Sequence, residues 1–225
     1  VKGIDIKHAN GKEDVVRSSI VFDAEGISSR ILRQAGLTAL KPSGLVYAVE
    51  TEIDNVQDIE QDAVEVYFGK SYAPGFYGWL IPRLDGTAKL GLATNTGNPR
   101  EYLKSLMTKH PIAKKQLARA KITKIGYHAI TLGGPISRAY ADGFLAVGDC
   151  ASQVKPTTGG GVIFGLKCAS EAAEVASQAL KVEDVSSNTL REYQKRCNDL
   201  LNFDIKVMLR IRKFLNSLSD ERLDE

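Results

Sequence analysis

Residues 143–170, GFLAVGDCASQVKPTTGGGVIFGLKCAS, combine an acid and a glycine triplet around one loop. An apolar run ends in Gly148-Asp149. A polar loop containing Pro156 and Thr158 follows, and Gly159-Gly160-Gly161 leads through Val162 into a long small-residue stretch. A buried strand, a loop and a glycine-led helix make the βα turn at which α/β sheets bind ligands. An aspartate at the strand end accepts hydrogen bonds from ligand hydroxyls. A helix start near residues 157–161 offers unpaired backbone N–H groups and the positive end of the helix dipole. Glycines there let the backbone come close to a ligand. The combination suits a ligand with a polyol and an anionic or electron-rich edge. The alternative is a tight glycine turn that packs the helix on a sheet. The spacing is not that of a phosphate loop, of GxGxxG or of a GxSxG nucleophile elbow.

Two further stretches carry candidate chemistry. Residues 74–82, PGFYGWLIP, hold the chain's one tryptophan together with Tyr77, Pro74 and Pro82. Such a cluster either lines an apolar cavity or fills a sheet core. Residues 23–30, DAEGISSR, read as a strand end followed by a helix capped by Ser28. Cys150, Cys168 and Cys197 form no CxxC pair, which predicts reduced thiols and a cytoplasmic setting. Cys150 follows Asp149 directly, but a small buried thiol is the expected role for all three. The histidines lack metal-ligand spacing, so no metal site is expected.

The elements that must position these residues follow from periodicity. Residues 1–23 predict a hairpin, with an Asn10-Gly11 turn and VVRSSIVF as its returning strand. SSRILRQAGL predicts a short helix closed by Gly36. LVYAVETEI, AVEVYFG and KLGLAT alternate as strands of an antiparallel sheet with one solvated face. Asn98-Pro99 opens a helix that His110-Pro111 interrupts. KITKIGYHAITL is extended, and DGFLAVGD is a short strand buried on both faces. Val162, Leu166, Ala169, Ala173, Ala176 and Leu180 mark the core face of one long helix. Leu190, Tyr193, Cys197, Leu200, Val207, Ile211, Phe214 and Leu218 mark that of a second, with a break at Asp204.

With 225 residues and a formal charge of +3, the chain is an ordinary globular sequence, too weakly basic to argue for nucleic acid. No stretch approaches the ~20 apolar residues of a membrane span. Residues 100–124 are nevertheless basic, and IKVMLRIRKFLNSL is basic and apolar. Both are candidates for peripheral contact with a membrane surface, against the alternative of solvated helix faces.

The stretch at residues 143–170 resembles the second flavin-contacting motif of FAD-dependent oxidoreductases related to p-hydroxybenzoate hydroxylase. More narrowly, it is similar to the geranylgeranyl reductase family. The resemblance implies that Asp149 binds the flavin ribityl chain and that the helix start after Pro156 faces the pyrimidine end of the ring. A helix dipole there would favour reduced flavin by roughly 0.3–1 kcal/mol. Gly148, Pro156, Thr158, Gly159, Gly160, Gly161 and Val162 complete the implied cofactor contacts. PGFYGWLIP resembles the family's PxxYxWxFP substrate motif, with Ile81 in place of phenylalanine. The GxG that usually follows reads Gly91-Leu92-Ala93. By resemblance, Tyr77, Trp79 and Pro82 line a prenyl cavity beside the flavin; no residue is an obvious proton donor, and Tyr77 and ordered water are the candidates. DAEGISSR resembles the family's ADGxxSxxR segment, with Glu25 where aspartate is usual.

The implied fold is a mixed α+β, α/β one. A partial FAD-binding domain of the glutathione-reductase type is combined with an antiparallel substrate sheet and a helical tail. Residues 1–40 and 131–182 are expected to belong to the FAD domain, 41–130 to the substrate domain and 183–225 to the tail. The family's GxGxxG segment is absent and the chain starts within a strand, so it is expected to be the C-terminal part of a longer enzyme. The implied activity is saturation of C=C bonds in geranylgeranyl chains of a prenyl lipid or prenyl diphosphate by reduced FAD. The electron donor, NAD(P)H or ferredoxin, stays open. The alternatives are an FAD-dependent monooxygenase, an electron-transfer flavoprotein acting on quinone, and a non-catalytic binding module.

Overall fold

The returning strand of the predicted hairpin is interrupted. β1 (Gly3–Lys7) and β2 (Glu13–Arg17) pair antiparallel, from Gly3↔Arg17 to Lys7↔Glu13. Asn10-Gly11 lies in a loop over residues 8–12, closed by the Gly11 N–H to the His8 carbonyl and the His8 N–H to the Lys12 carbonyl. The chain then leaves the hairpin at residues 18–20 and restarts as β3 (Val21–Asp23), which pairs elsewhere. A parallel partner far along the chain, invisible to local alternation, competes for these residues.

The short helix α1 (Arg30–Gln34) is capped by Glu25, not Ser28. The Glu25 carboxylate accepts from the Arg30 N–H at 2.8 Å and the Leu32 N–H at 3.0 Å, and the Ser28 hydroxyl also donates to it. At its far end the Gly36 N–H bonds the Arg33 carbonyl and the Leu37 N–H the Leu32 carbonyl, the paired closure of a Schellman motif.

β4 (Leu45–Asp54), β5 (Glu65–Tyr67), β6 (Gly78–Pro82) and β7 (Ala88–Thr94) build a second sheet. α2 (Pro99–Lys109), α3 (Ala113–Gln116) and β8 (Lys121–Thr131) follow. The strand order is β5-β6-β7-β4-β8. Alternation along β4 and β7 sets the register, Val49↔Leu92 and Glu50↔Gly91, so apolar and polar residues separate onto two faces. On one face Val49, Ile53, Leu80, Leu90 and Leu92 are fully buried with Leu103 and Leu106 of α2. Each such side chain contributes roughly 1.5–3 kcal/mol. As predicted, Asn98 caps α2: its side chain accepts from the Arg100 N–H at 3.0 Å, and Pro99 follows.

β9 (Tyr140–Ala141) and β10 (Phe144–Ala146) complete a small sheet ordered β3-β10-β9. Every residue of β10 is buried. It pairs in parallel with β3, Ala146 opposite Asp23, which brings the C-terminal ends of the two strands side by side.

α4 (Val162–Lys181) and α5 (Ser187–Ser217) are the long helices, followed by α6 (Asp220–Leu223). Their buried faces are only partly those the periodicity suggests. In α4 the core takes Phe164, Cys168, Ala172, Val175, Ala176 and Ala179, while Val162 and Leu166 are 74% and 64% exposed. The helix is apolar or small on two sides, and the stripe with four small side chains is the one that packs. In α5 Leu190, Tyr193 and Cys197 are buried as predicted, but the core line continues through Leu201 and Ile205 and leaves Leu200, Val207, Ile211 and Phe214 exposed. Asp204 does not break α5, because it points to solvent on an uninterrupted helix.

This computed structural model describes residues 1–223. It divides into two units. One is Val1–Gly44 with Thr131–Ile211; the other is Leu45–Ile130 with the segment from Arg212 onward. Among the described residues no helix is long and apolar enough to cross a membrane.

Candidate active site

The end of β10 delivers Gly148 and Asp149 through a tight turn over Gly148–Ala151. The turn is held from below. The Gly148 N–H donates to Gln153 Oε1 at 2.8 Å, Gln153 Nε2 donates to the Tyr193 hydroxyl at 2.8 Å, and that hydroxyl donates to the Ala146 carbonyl at 2.8 Å. Gln153 and Tyr193 are fully buried, and burial pushes the Tyr193 phenol well above its ordinary pKa, so it stays a donor. Sequence reasoning missed both: Tyr193 counts as one apolar position of α5 there, and Gln153 as one polar loop residue.

Asp149 is different. No hydrogen bond to its carboxylate exists among the described residues, and burial alone raises its pKa. Its Oδ1 lies 2.6 Å from where a Cβ on Gly161 would stand. Gly161 has an ordinary φ of −96°, so glycine is required here by space, not by backbone conformation. Gly161 is also the N-cap of α4 and supplies no side-chain cap. The loop thus sets an unused acceptor carboxylate directly over an uncapped helix start. Between them Pro156 is buried, Thr158 and Gly160 are exposed, Gly159 is half-buried, and Val162 opens α4 facing solvent.

Beside this loop, at the end of β3, Asp23 is 2% exposed. Its Oδ1 accepts from the Glu25 N–H at 2.9 Å, its Oδ2 is buried with no partner, and burial raises its pKa. Glu25 is occupied with capping α1, where burial opposes ionisation but bonds from Ser28 and the α1 N–H groups win and lower its pKa. Cys150 is a packing residue: its thiol lies 3.2 Å from the Asp23 and Val147 carbonyls, and burial first, then Asp23, push its pKa up to about 12.

In the other unit, PGFYGWLIP forms a loop and strand β6. Trp79 stands opposite Gly91 on the sheet face away from α2. Its indole lies across the strand there: a Cβ on Gly91 would meet Trp79 Cζ2 at 2.5 Å, Cε2 at 2.6 Å and the Val49 carbonyl oxygen at 2.8 Å. Tyr77 stacks on Phe76 with centroids 4.1 Å apart, and meets Phe68 at 5.6 Å and Trp79 edge-on at 6.2 Å. Burial raises the Tyr77 phenol pKa, so it too is protonated at neutral pH. Pro82 ends β6 opposite Ala88. On the same face, starting with Glu50 opposite Gly91, run ion pairs, Lys89–Glu50 at 2.7 Å and Arg83–Glu52 at 3.3 Å. The aromatic patch therefore borders charged pairs across the sheet.

Two C-terminal residues hold the loop that precedes Tyr77. Arg212 donates to the Gly75 carbonyl at 3.0 Å. Asp220 accepts from the Lys70 N–H at 2.6 Å, the Ser71 N–H at 3.0 Å and the Ser71 hydroxyl at 2.7 Å. Local patterns in the sequence carry no sign of these contacts, which span more than a hundred residues.

The chain is similar in sequence and in fold to known proteins. A solved flavin-dependent brominase, Bmp2, superposes with a TM-score of 0.70 over 96% of this chain and 58% of its own, at 20% identity. A geranylgeranyl bacteriochlorophyll reductase-like protein from Thermoplasma acidophilum superposes with a TM-score of 0.90 over 99% of this chain and 56% of its own, at 26% identity. The fold is thus one used by flavin-dependent enzymes. Residues 45–127 match the geranylgeranyl reductase catalytic domain. The digeranylgeranylglycerophospholipid reductase of Methanocaldococcus jannaschii is 36% identical over 217 residues, 95% of this chain and 55% of its own. A second one, from Methanopyrus kandleri, is 34% identical over the whole chain and 58% of its own length. Over nearly its whole length the chain is thus similar to geranylgeranyl reductases, and it spans about half the length of these relatives.

The residues present fit a flavin. The Asp149 carboxylate matches a ribityl hydroxyl chain, and the α4 start is uncapped, as an electron-rich ring edge requires. The Gly161 position leaves no room for a side chain beneath that carboxylate.

Proposed function

We propose that this chain is part of an FAD-dependent reductase that saturates C=C bonds in the geranylgeranyl chains of an archaeal-type ether lipid. The observation that carries the reading is the unused Asp149 carboxylate held over the uncapped start of α4, in a chain whose residues 45–127 match the reductase catalytic domain. When bound and reduced, FAD supplies the hydride; the protein supplies position and electrostatics.

Asp149 holds the ribityl hydroxyls. Gln153 and Tyr193 fix the turn that aims it. The α4 start presents N–H groups and a positive dipole end to the ring edge. Trp79, lying flat over Gly91, and the Phe76–Tyr77 stack form an apolar surface for prenyl chain and exclude water from it. Tyr77, kept protonated by burial, is the residue we assign to deliver the proton. NAD(P)H or ferredoxin serves as electron donor, and the protein meets its lipid substrate at a membrane surface.

The test uses the protein at its natural length. Reduced anaerobically and given a geranylgeranyl ether lipid, it should add two hydrogens per double bond, read by mass spectrometry. Gly161→Ala should keep its fold by circular dichroism and lose its yellow colour on desalting. Trp79→Ala should stay yellow and lose turnover. Wild-type protein that holds FAD yet leaves the prenyl chains unchanged overturns the reading, as does a Gly161→Ala protein that holds FAD normally.

A further inference from the structure

Between residues 100 and 121 the chain carries seven lysines and arginines and one acid, Glu101. α2, α3, the turn after α3 and the start of β8 present all seven to solvent. None of the seven has an ion-pair partner among the described residues, unlike the paired lysine and arginine on the aromatic sheet face. Surface cations normally alternate with acids; here a compact surface keeps a one-sign field.

The same surface is apolar where it is concave. A groove of about 540 Å³ runs between α2 and β8, lined by Arg100, Leu103, Lys104, Met107, Ile122 and Ile125 among others. Ile122 and Ile125 are 47% and 42% exposed, and nearby Tyr127 and Ile112 are 57% and 59% exposed. β8 is an edge strand with eight successive exposed residues, yet it carries isoleucines and a tyrosine where an edge usually carries only charge.

We infer that the α2–α3–β8 face docks on an anionic phospholipid bilayer, with its cations on lipid phosphates and Ile122, Ile125 and Tyr127 among the headgroups. The charge selects the partner: phosphate-rich, one-sign and extended. The exposed isoleucines select further, because a nucleic acid offers phosphates but no hydrocarbon, whereas a bilayer surface offers both. Tyrosine at such a boundary keeps its ring apolar and its hydroxyl wet. The inference rests on the reductase reading only for the biological reason to visit a lipid surface. Neither flavin nor turnover enters its test.

The test is co-sedimentation of the chain with vesicles of phosphatidylcholine alone and of phosphatidylcholine mixed with phosphatidylglycerol, at low and high salt. Wild type should bind the mixed vesicles at low salt and ignore the neutral ones. The charge-reversed K104E/K109E/K121E should lose at least about tenfold in partition, since each reversal removes a favourable contact with the anionic surface and adds a repulsive one. K167E/K181E, with the same kind of change on α4, should lose far less than the face variant, because a local docking face depends on which cations are reversed and not on net charge alone. I122S/I125S should bind the mixed vesicles severalfold more weakly at low salt, because it removes the apolar part of the contact and leaves the charges in place. Circular dichroism and melting check that each variant is folded. No binding by wild type, equal losses in the α4 control, or full binding by K104E/K109E/K121E overturns the proposal. A dimer in light scattering that I122S/I125S abolishes assigns the face to a second copy and overturns it as well.

Discussion

Replacing Gly91 by alanine adds one methyl group where the structure has none to spare. The new Cβ would stand 2.5 Å from Trp79 Cζ2 and 2.6 Å from Cε2. Carbon atoms pack at 3.5–4.0 Å, so the indole must move by about 1 Å. It cannot be relieved from the other side, because the Val49 carbonyl oxygen lies 2.8 Å from the same Cβ and belongs to the backbone of β4. Overpacking of this kind costs ~1–3 kcal/mol, and a backbone obstacle places the cost in the upper half of that range. With a urea slope of ~2 kcal/mol per molar, the unfolding midpoint should fall by roughly 1 M. Trp79 is the only tryptophan in the chain, so its emission reports the displacement directly. The spectrum of folded Gly91→Ala should shift toward a more solvated indole, and acrylamide should quench it more strongly. Gly126→Ala is the control: a Cβ there meets nothing within 4 Å. It should stay within ~0.5 kcal/mol of wild type with an unchanged spectrum. If Gly91→Ala melts with wild type and keeps its emission, then the indole does not lie across Gly91, and the apolar surface assigned to the prenyl chain is wrong.

Three other outcomes follow from the geometry. Tyr193→Phe removes the donor to the Ala146 carbonyl and the acceptor for Gln153; it should lower stability by ~1–3 kcal/mol in a thermal melt and weaken flavin retention at natural length more than a core substitution of equal cost such as Leu201→Ala. Asp220 is held below its ordinary pKa because, although burial opposes ionisation, bonds from Ser71 and the Lys70 N–H outweigh it. A depressed folded pKa means stability present above the unfolded value, about 3.9, and lost as pH falls through the folded one. Asp220→Asn should therefore show at pH 7 the protease sensitivity at residues 69–71 that wild type acquires only in acid. Glu25→Ala should cost ~0.5–2 kcal/mol by uncapping α1, seen as a lower melting temperature, and Glu25→Asp should recover only part of it because the shorter side chain must reach the Arg30 and Leu32 N–H groups from the same position.

What the amino-acid sequence determined by itself was chiefly local. Alternation in β4 and β7 set a register, and Asn98-Pro99 started a helix, because each signal needs only neighbours in the chain. The Gly148-Asp149 loop and PGFYGWLIP were visible as candidate sites for the same reason: residue type and spacing carry them.

Tertiary structure decided the rest. α4 is apolar on two sides, and periodicity cannot choose between two stripes; packing chose the one with Phe164 and Cys168. VVRSSIVF alternates well enough to be one strand, but its last residues gain a parallel partner in β10, more than a hundred residues away. Glycine at position 91 looks like one small residue in a strand until Trp79 lies across it. Tyr193, Arg212 and Asp220 have no local signature at all, since each acts on a backbone group that only the folded chain brings within hydrogen-bond reach. Hydrogen bonds and van der Waals contacts act over a few ångströms of space. A linear pattern records which side chains are able to make them, and the fold decides which ones do.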